Sequence, residues 1–201
     1  MPHVLEVIDN HSVAVDLLTK GPVLDAGARG FVFSNWFAKR GHEVFAIDPS
    51  PDVENLFPKE WNPIRLIKAA LVGPGYPKMM SLQLGPDPNA WYVKYDGSFE
   101  SVPIDTVQLS EIGPRGCQWD VIKLNIEGSE YDILDNWPGP IARQIVFSFH
   151  EHTDRKRGRE ECDRIIDKLR QWYDISNQVW EPRYCTYANY WDILAIEKGL
   201  S

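Results

Sequence analysis

The stretch VLDAGARGFVFSNWFAKRGHEVFAIDPS, residues 23–50, closes one apolar run with Asp25 and a second with Asp48. Gly27, Ala28, Arg29 and Gly30 lie between them, at the first turn. Glycines at such a turn let a ligand approach the backbone closely, and a helix starting near Phe31 would turn its free amides toward it. Asp48 follows Gly27 by 21 residues, the distance at which a strand-end carboxylate accepts hydrogen bonds from ribose hydroxyls. The segment GARGFV lacks the GxGxxG spacing of a pyrophosphate cradle, and Arg29 and Phe31 crowd the turn. These residues point to a nucleoside-type ligand rather than a dinucleotide. A purely structural strand–turn–helix stays open as the alternative.

A second stretch, WDVIKLNIEGSE at 119–130, ends another apolar run in polar residues. Strand alternation would place Lys123, Asn125 and Glu127 on one side. Lys123, Glu127, Glu130 and His150 (or His152) are the candidates for moving a proton. Each has a structural reading beside it. Lys123 could pair with an acidic neighbour, and Glu130 suits the first turn of a helix, where negative charge is favourable. His150-Glu151-His152 joins two imidazoles and a carboxylate, a set that suits zinc or iron, although a third ligand must come from elsewhere. For His150, metal ligation, acid–base work and a plain strand-end histidine all remain open.

Strands and helices must position these groups. The run at 4–18 reads as a helical lead-in, and GPVLDAG and EVFAID as strands flanking a helix that keeps Phe33, Trp36 and Phe37 on one face. Gly41 sits where that helix needs a C-terminal cap. PIRLIKAALVG, 63–73, is a third strand candidate, and residues 74–103 form a β-hairpin excursion around GPDPN. Further on come a strand from 119, a helix over 129–136, a strand at 143–152 and an amphipathic helix carrying Cys162, Ile165, Ile166, Leu169 and Trp172. Two strands close the chain. The alternation predicts an α/β fold: a Rossmann-like three-layer sandwich on a mostly parallel, seven-stranded sheet, forming one domain over 1–201. In such sheets ligands bind beyond the carboxyl ends of the strands, where Asp25, Asp48, Asn125, Glu127 and His150 collect.

Bulk properties exclude several classes. The net charge of −8 argues against a duplex nucleic-acid binder, and the basic cluster Arg155, Lys156, Arg157 and Arg159 runs straight into Glu160 and Glu161. Three scattered cysteines (Cys117, Cys162, Cys185) without a CxxC predict neither a disulfide framework nor a thiolate metal site. No stretch reaches 18 uninterrupted apolar residues and no basic leader opens the sequence, so the expectation is a cytoplasmic protein without a membrane anchor. Trp91, Tyr92, Tyr95, Trp180, Tyr184, Tyr187, Tyr190 and Trp191 crowd the excursion and the C-terminal region. They read as packing, or as a pocket that stacks on a sugar or another flat ring.

Residues 23–50 resemble the first motif of class I S-adenosylmethionine-dependent methyltransferases. DVIKLNIEGSEYDIL resembles the FkbM signature, Lys-x-Asp-x-Glu-Gly-x-Glu on a strand and helix, with AALVG before it and IVFSFHEH after it in the family's order. The resemblance covers roughly residues 20 to 152. It implies S-adenosylmethionine as cofactor and S-adenosylhomocysteine as product. Asp25, Gly27, Ala28, Arg29 and Gly30 would form the cofactor loop, Asp48 would hold the ribose, Ala70 and Leu71 would flank the adenine, and Asn125 would lie near the methionine end. It further implies O-methylation of a small-molecule or saccharide hydroxyl, and it is compatible with a homodimer. Two positions depart from the family: Phe31 stands where a glycine is usual, and Asn125 replaces an Asp. A non-catalytic α/β cofactor-binding or interaction protein, and a metal-dependent hydrolase built on the 150–152 strand end, are the competing readings.

Overall fold

The computed structural model describes residues 2–57, 63–84, 92–93, 101–113, 116, 118–150, 159–177 and 192–200. A strand β1 (Leu5–Ile8) turns into β2 (His11–Ala14), and a short 3₁₀ turn at Val15–Leu17 leads to β3 (Val23–Ala26), α1 (Val32–Ala38) and β4 (Val44–Ile47). Then come α2 (Val53–Leu56), β5 (Ile64–Ile67), β6 (Ala70–Val72), β7 (Met79–Gln83), β8 (Tyr92–Val93) and β9 (Ser101–Gln108). The chain continues through β10 (Trp119–Leu124), α3 (Glu130–Asp135), β11 (Ala142–Phe147), α4 (Arg159–Leu169), β12 (Tyr173–Asn177) and β13 (Ile193–Glu197).

Seven strands make one sheet in the order β12-β13-β11-β10-β3-β4-β5. The five from β11 to β5 run parallel, and β13 is antiparallel to both its neighbours. Parallel strands must be covered on both faces, which explains their near-continuous apolar runs. On one face Leu24, Ile122, Leu124, Ile145 and Phe147 pack with Tyr131 and Leu134 of α3 and Cys162, Ile165 and Leu169 of α4. The i, i+3, i+4, i+7 spacing of Cys162, Ile165, Ile166 and Leu169 produces that buried stripe. On the other face Val23, Val44, Ala46, Val121 and Val146 pack with Phe33 and Phe37 of α1 and with Ile8, Val13 and Ala14 of the N-terminal hairpin. The result is the expected three-layer α/β sandwich.

Three elements differ from their sequence reading. Residues 4–18 form a β-hairpin instead of a helix. Its turn residues Asp9 and Asn10 both take positive φ, 49° and 64°, the pairing a tight hairpin demands. Burial of its inner side chains against the sheet decides the outcome, because short β-branched runs fit either period. The 63–73 run is two strands: β5 closes the large sheet, and β6 opens a four-stranded sheet of order β6-β9-β7-β8. In that smaller sheet β7 pairs antiparallel with β9 and with β8, and β6 pairs parallel with β9. β10 also stops at Leu124, so strict alternation does not extend to Asn125 and Glu127. Among the described residues no helix is long and apolar enough to cross a membrane.

Candidate functional site

The sheet order reverses beside β3: the chain moves outward through β4 and β5, then returns to place β10 on the other side. Such a reversal leaves a crevice beyond the strand carboxyl ends. Here that crevice is a cleft of about 360 Å³, lined by the ends of β3, β4, β6 and β10 and by the tip of the N-terminal hairpin.

Gly27 makes the crevice possible. Its φ is +80°, and a Cβ there would stand 1.8 Å from the Asn125 carbonyl oxygen. No side chain fits, so the loops after β3 and β10 touch through bare backbone. The turn is fixed by Gly27 and Ala28 N–H groups donating to the Ile47 carbonyl at 2.9 and 3.2 Å. Asp48, buried at the end of β4, accepts from the Ser50 N–H at 2.8 Å. Burial raises its pKa from the ordinary carboxylate value, against the lowering pull of hydrogen bonds from Ser50 and the Arg29 backbone. Arg29 reaches across the mouth to Asp52 at 2.6 Å. Asn125 lines the cleft, and its Oδ1 is buried without a hydrogen-bond partner.

Of the predicted cofactor residues, the cleft brings together Gly27, Arg29, Gly30, Asp48, Ala70, Leu71 and Asn125. Asp25 and Ala28 are not on its wall. Asp25 faces Lys123 in the parallel register, and both side chains are 1% exposed. Lys123 Nζ donates to Asp25 Oδ1 and to the Gly27 carbonyl, each at 2.9 Å. Ser34 donates its N–H and hydroxyl to Asp25 Oδ2 at 3.0 and 2.6 Å. A helix amide expected to meet a ligand is thus spent on Asp25. The pair is a buried brace beneath the turn, and Lys123 is not among the residues that line the cleft.

Phe31 does not crowd the turn. Its φ of 52° is a left-handed conformation that glycine adopts freely. The ring turns into the core, edge-on to Phe57 with centroids 5.3 Å apart. The residue thus reproduces glycine's backbone while keeping the cleft clear.

Glu127, Glu130 and His150 form a relay at the other end. Glu130 is fully buried and accepts from the Ile126 and Gly128 N–H groups, both at 2.7 Å. It also holds His150 Nδ1 at 2.7 Å. His150 is 2% exposed, and its Nε2 lies 3.5 Å from Glu127 Oε1. Burial disfavours the imidazolium, but the charge and hydrogen bond of Glu130, with Glu127 beyond, raise the pKa above the usual histidine value. Glu127 itself lines the cleft, carried there by a left-handed φ of 53° and by Gly128 at 107°. Glu130 and His150 stand behind it.

Sequence reasoning missed Asp9, Asn10, Ser50 and Ser129 on the cleft wall. The signal for the first two was the Asp-Asn pair between β-branched runs, a hairpin turn signature. Among the described residues no group of three or more His, Cys, Asp or Glu side chains is placed to hold a metal ion. Glu151, His152 and the basic residues at 155–157 lie outside the described residues, as do Cys117, Cys185, Trp91, Tyr95, Trp180, Tyr184, Tyr187, Tyr190 and Trp191.

No protein-family model matches the chain, and no curated protein matches it. Among solved structures it is similar to a TehB-like SAM-dependent methyltransferase from Corynebacterium glutamicum ATCC 13032 Kitasato, at 12% identity and a TM-score of 0.48. The likeness spans 90% of this chain and 82% of that one. At that distance it carries no argument about activity, which must rest on the cleft.

Proposed function

We propose that this chain is an S-adenosylmethionine-dependent methyltransferase acting on a hydroxyl of a small-molecule or saccharide acceptor. The observation that carries the reading is one cleft at the sheet's reversal point that holds Asp48, a side-chain-free Gly27 turn and the orphaned Asn125 Oδ1 together. Those groups suit the cofactor. Asp48 accepts from the ribose hydroxyls, Ala70 and Leu71 flank the adenine, and Asn125 Oδ1 accepts from the methionyl ammonium. When bound, S-adenosylmethionine supplies a methyl group on a sulfonium and departs as S-adenosylhomocysteine. The FkbM-like motifs support the same class.

The chain's own task is to orient the acceptor and take its proton. Of the carboxylates that line the cleft, Glu127 is the one backed by a histidine, and it is assigned to accept that proton on a carboxylate oxygen. Glu130 fixes the His150 ring through Nδ1, so that Nε2 is held against Glu127. The His150 imidazole thereby orients the Glu127 carboxylate for that role. Asn125 cannot serve as a base.

Isothermal titration with S-adenosylhomocysteine tests the cofactor reading directly. The native chain binds, and Asp48→Ala binds about 10- to 100-fold more weakly, the loss expected for hydrogen bonds to a charged group. No binding by the native chain would overturn the assignment.

A further inference from the structure

Resting on the methyltransferase reading, we propose that the N-terminal hairpin tip, Asp9 and Asn10, is the acceptor-recognition wall of the cleft, built for a hydrogen-bond-donating group without negative charge. The hairpin lies outside the motifs that suggest the cofactor, yet both tip residues line the same cleft as Asn125 and Glu127. Their position is fixed by packing. Ser12 donates its N–H and hydroxyl to buried Asp192 at 2.8 and 2.7 Å. Gln144 of β11 exchanges two hydrogen bonds with the Ala14 backbone at 2.8 and 2.9 Å. Asp9 lies within electrostatic reach of Lys123 and Asp25, and His11, the residue after the tip, within reach of Lys123 and His150. The tip therefore shares its cleft with the segments that follow β3 and β10, Glu127 among them.

The turn chemistry supports a binding role. Glycine is the usual second residue of such a turn, because both positions need positive φ. This chain accepts a non-glycine residue at each, and keeps a carboxylate and an amide at the cleft. Among the described residues the lining has three carboxylates (Asp9, Asp48 and Glu127) and one cation, Arg29, which is engaged by Asp52. An anionic acceptor meets repulsion there. Hydroxyl or ammonium donors meet acceptors on both sides.

Nitrogen-resolved NMR titration of the chain saturated with S-adenosylhomocysteine tests this, using methyl β-D-glucopyranoside, D-glucosamine and D-glucuronate as neutral, cationic and anionic probes. The neutral or the cationic probe shifts the Asn10 side-chain amide and the glucuronate does not; which of the two acts separates hydroxyl from ammonium recognition. Asp9→Asn and Asn10→Gly both tolerate the turn. Each weakens probe binding about 5-fold or more and leaves S-adenosylhomocysteine affinity within about twofold. Silence at Asn10 with the neutral and cationic probes overturns the proposal, as does an equal loss of affinity for probe and nucleoside. Failure of S-adenosylhomocysteine itself to bind overturns the underlying methyltransferase reading instead.

Discussion

At the scale of single residues, Lys123 shows how one buried charge organises the site without touching it. Its ammonium bonds Asp25 and the Gly27 carbonyl, so it ties β10 to the turn after β3. Removing one partner of such a pair strands the other in a low-dielectric interior, which costs about 3–5 kcal/mol. Lys123→Met is therefore expected to lose about that much in urea denaturation, and Asp25→Leu combined with Lys123→Met to regain part of it, since no stranded charge remains. A double variant no more stable than the single one would show that the pair is not the unit of stabilisation. The sequence announced both residues, and it announced Asp48, Asn125 and Glu127 as strand-end groups. It did not reveal which of them reach the cleft. Asp25 and Lys123 share a face of adjacent strands, and only the parallel register, invisible in one sequence, shows that they consume each other.

At the scale of elements, the turn into α1 is the most constrained segment. Phe31 holds a left-handed φ while its ring packs on Phe57. For most core positions alanine is the milder truncation and glycine the harsher one. Here the order should invert. Both Phe31→Ala and Phe31→Gly lose the buried ring, but only glycine relieves the backbone strain, worth about 1–2 kcal/mol. Thermal unfolding should therefore place the glycine variant above the alanine variant by about 1 kcal/mol; the ordinary order would mean that the strain is absent. Element type was legible where the apolar pattern was distinctive. The α4 stripe follows one helical period, and the β3, β4, β10 and β11 runs are short, near-continuously buried stretches of strand length. It was illegible in residues 4–18, where β-branched residues fit a helix stripe and a hairpin equally, and burial against β11 and β13 decides. The 63–73 run hid its break as well, because apolar residues on both sides of Lys68 do not say that its halves belong to two sheets.

At the scale of the whole molecule, buried histidines of opposite sign shape stability against pH. His11 is buried, with both ring nitrogens lacking a hydrogen-bond partner. Burial, with Lys123 and His150 nearby, lowers its pKa well below 6.5. The folded state thus refuses a proton that the unfolded chain accepts, and stability falls as pH drops below about 6.5. The slope is about 1.4 kcal/mol per pH unit for one such group until the folded state also titrates. His150 behaves oppositely. Its folded pKa is raised, so its contribution is complete below about 6.5 and is lost as pH rises through the higher folded value. Asp9, Asp48 and Asp192, all raised chiefly by burial, cost stability once ionised and recover it only as pH falls toward carboxylate values. They are common to native and histidine-substituted chains, so they cancel in a comparison. Calorimetric unfolding from pH 5 to 9 of the native chain, His11→Leu and His150→Gln should then separate the two effects. The His11→Leu curve diverges upward from the native one on the acid side, and the His150→Gln curve converges toward it on the alkaline side. Parallel curves across the whole range would mean that neither imidazole titrates differently in the folded and unfolded chains. The relay behind Glu127 would then lose its electrostatic basis.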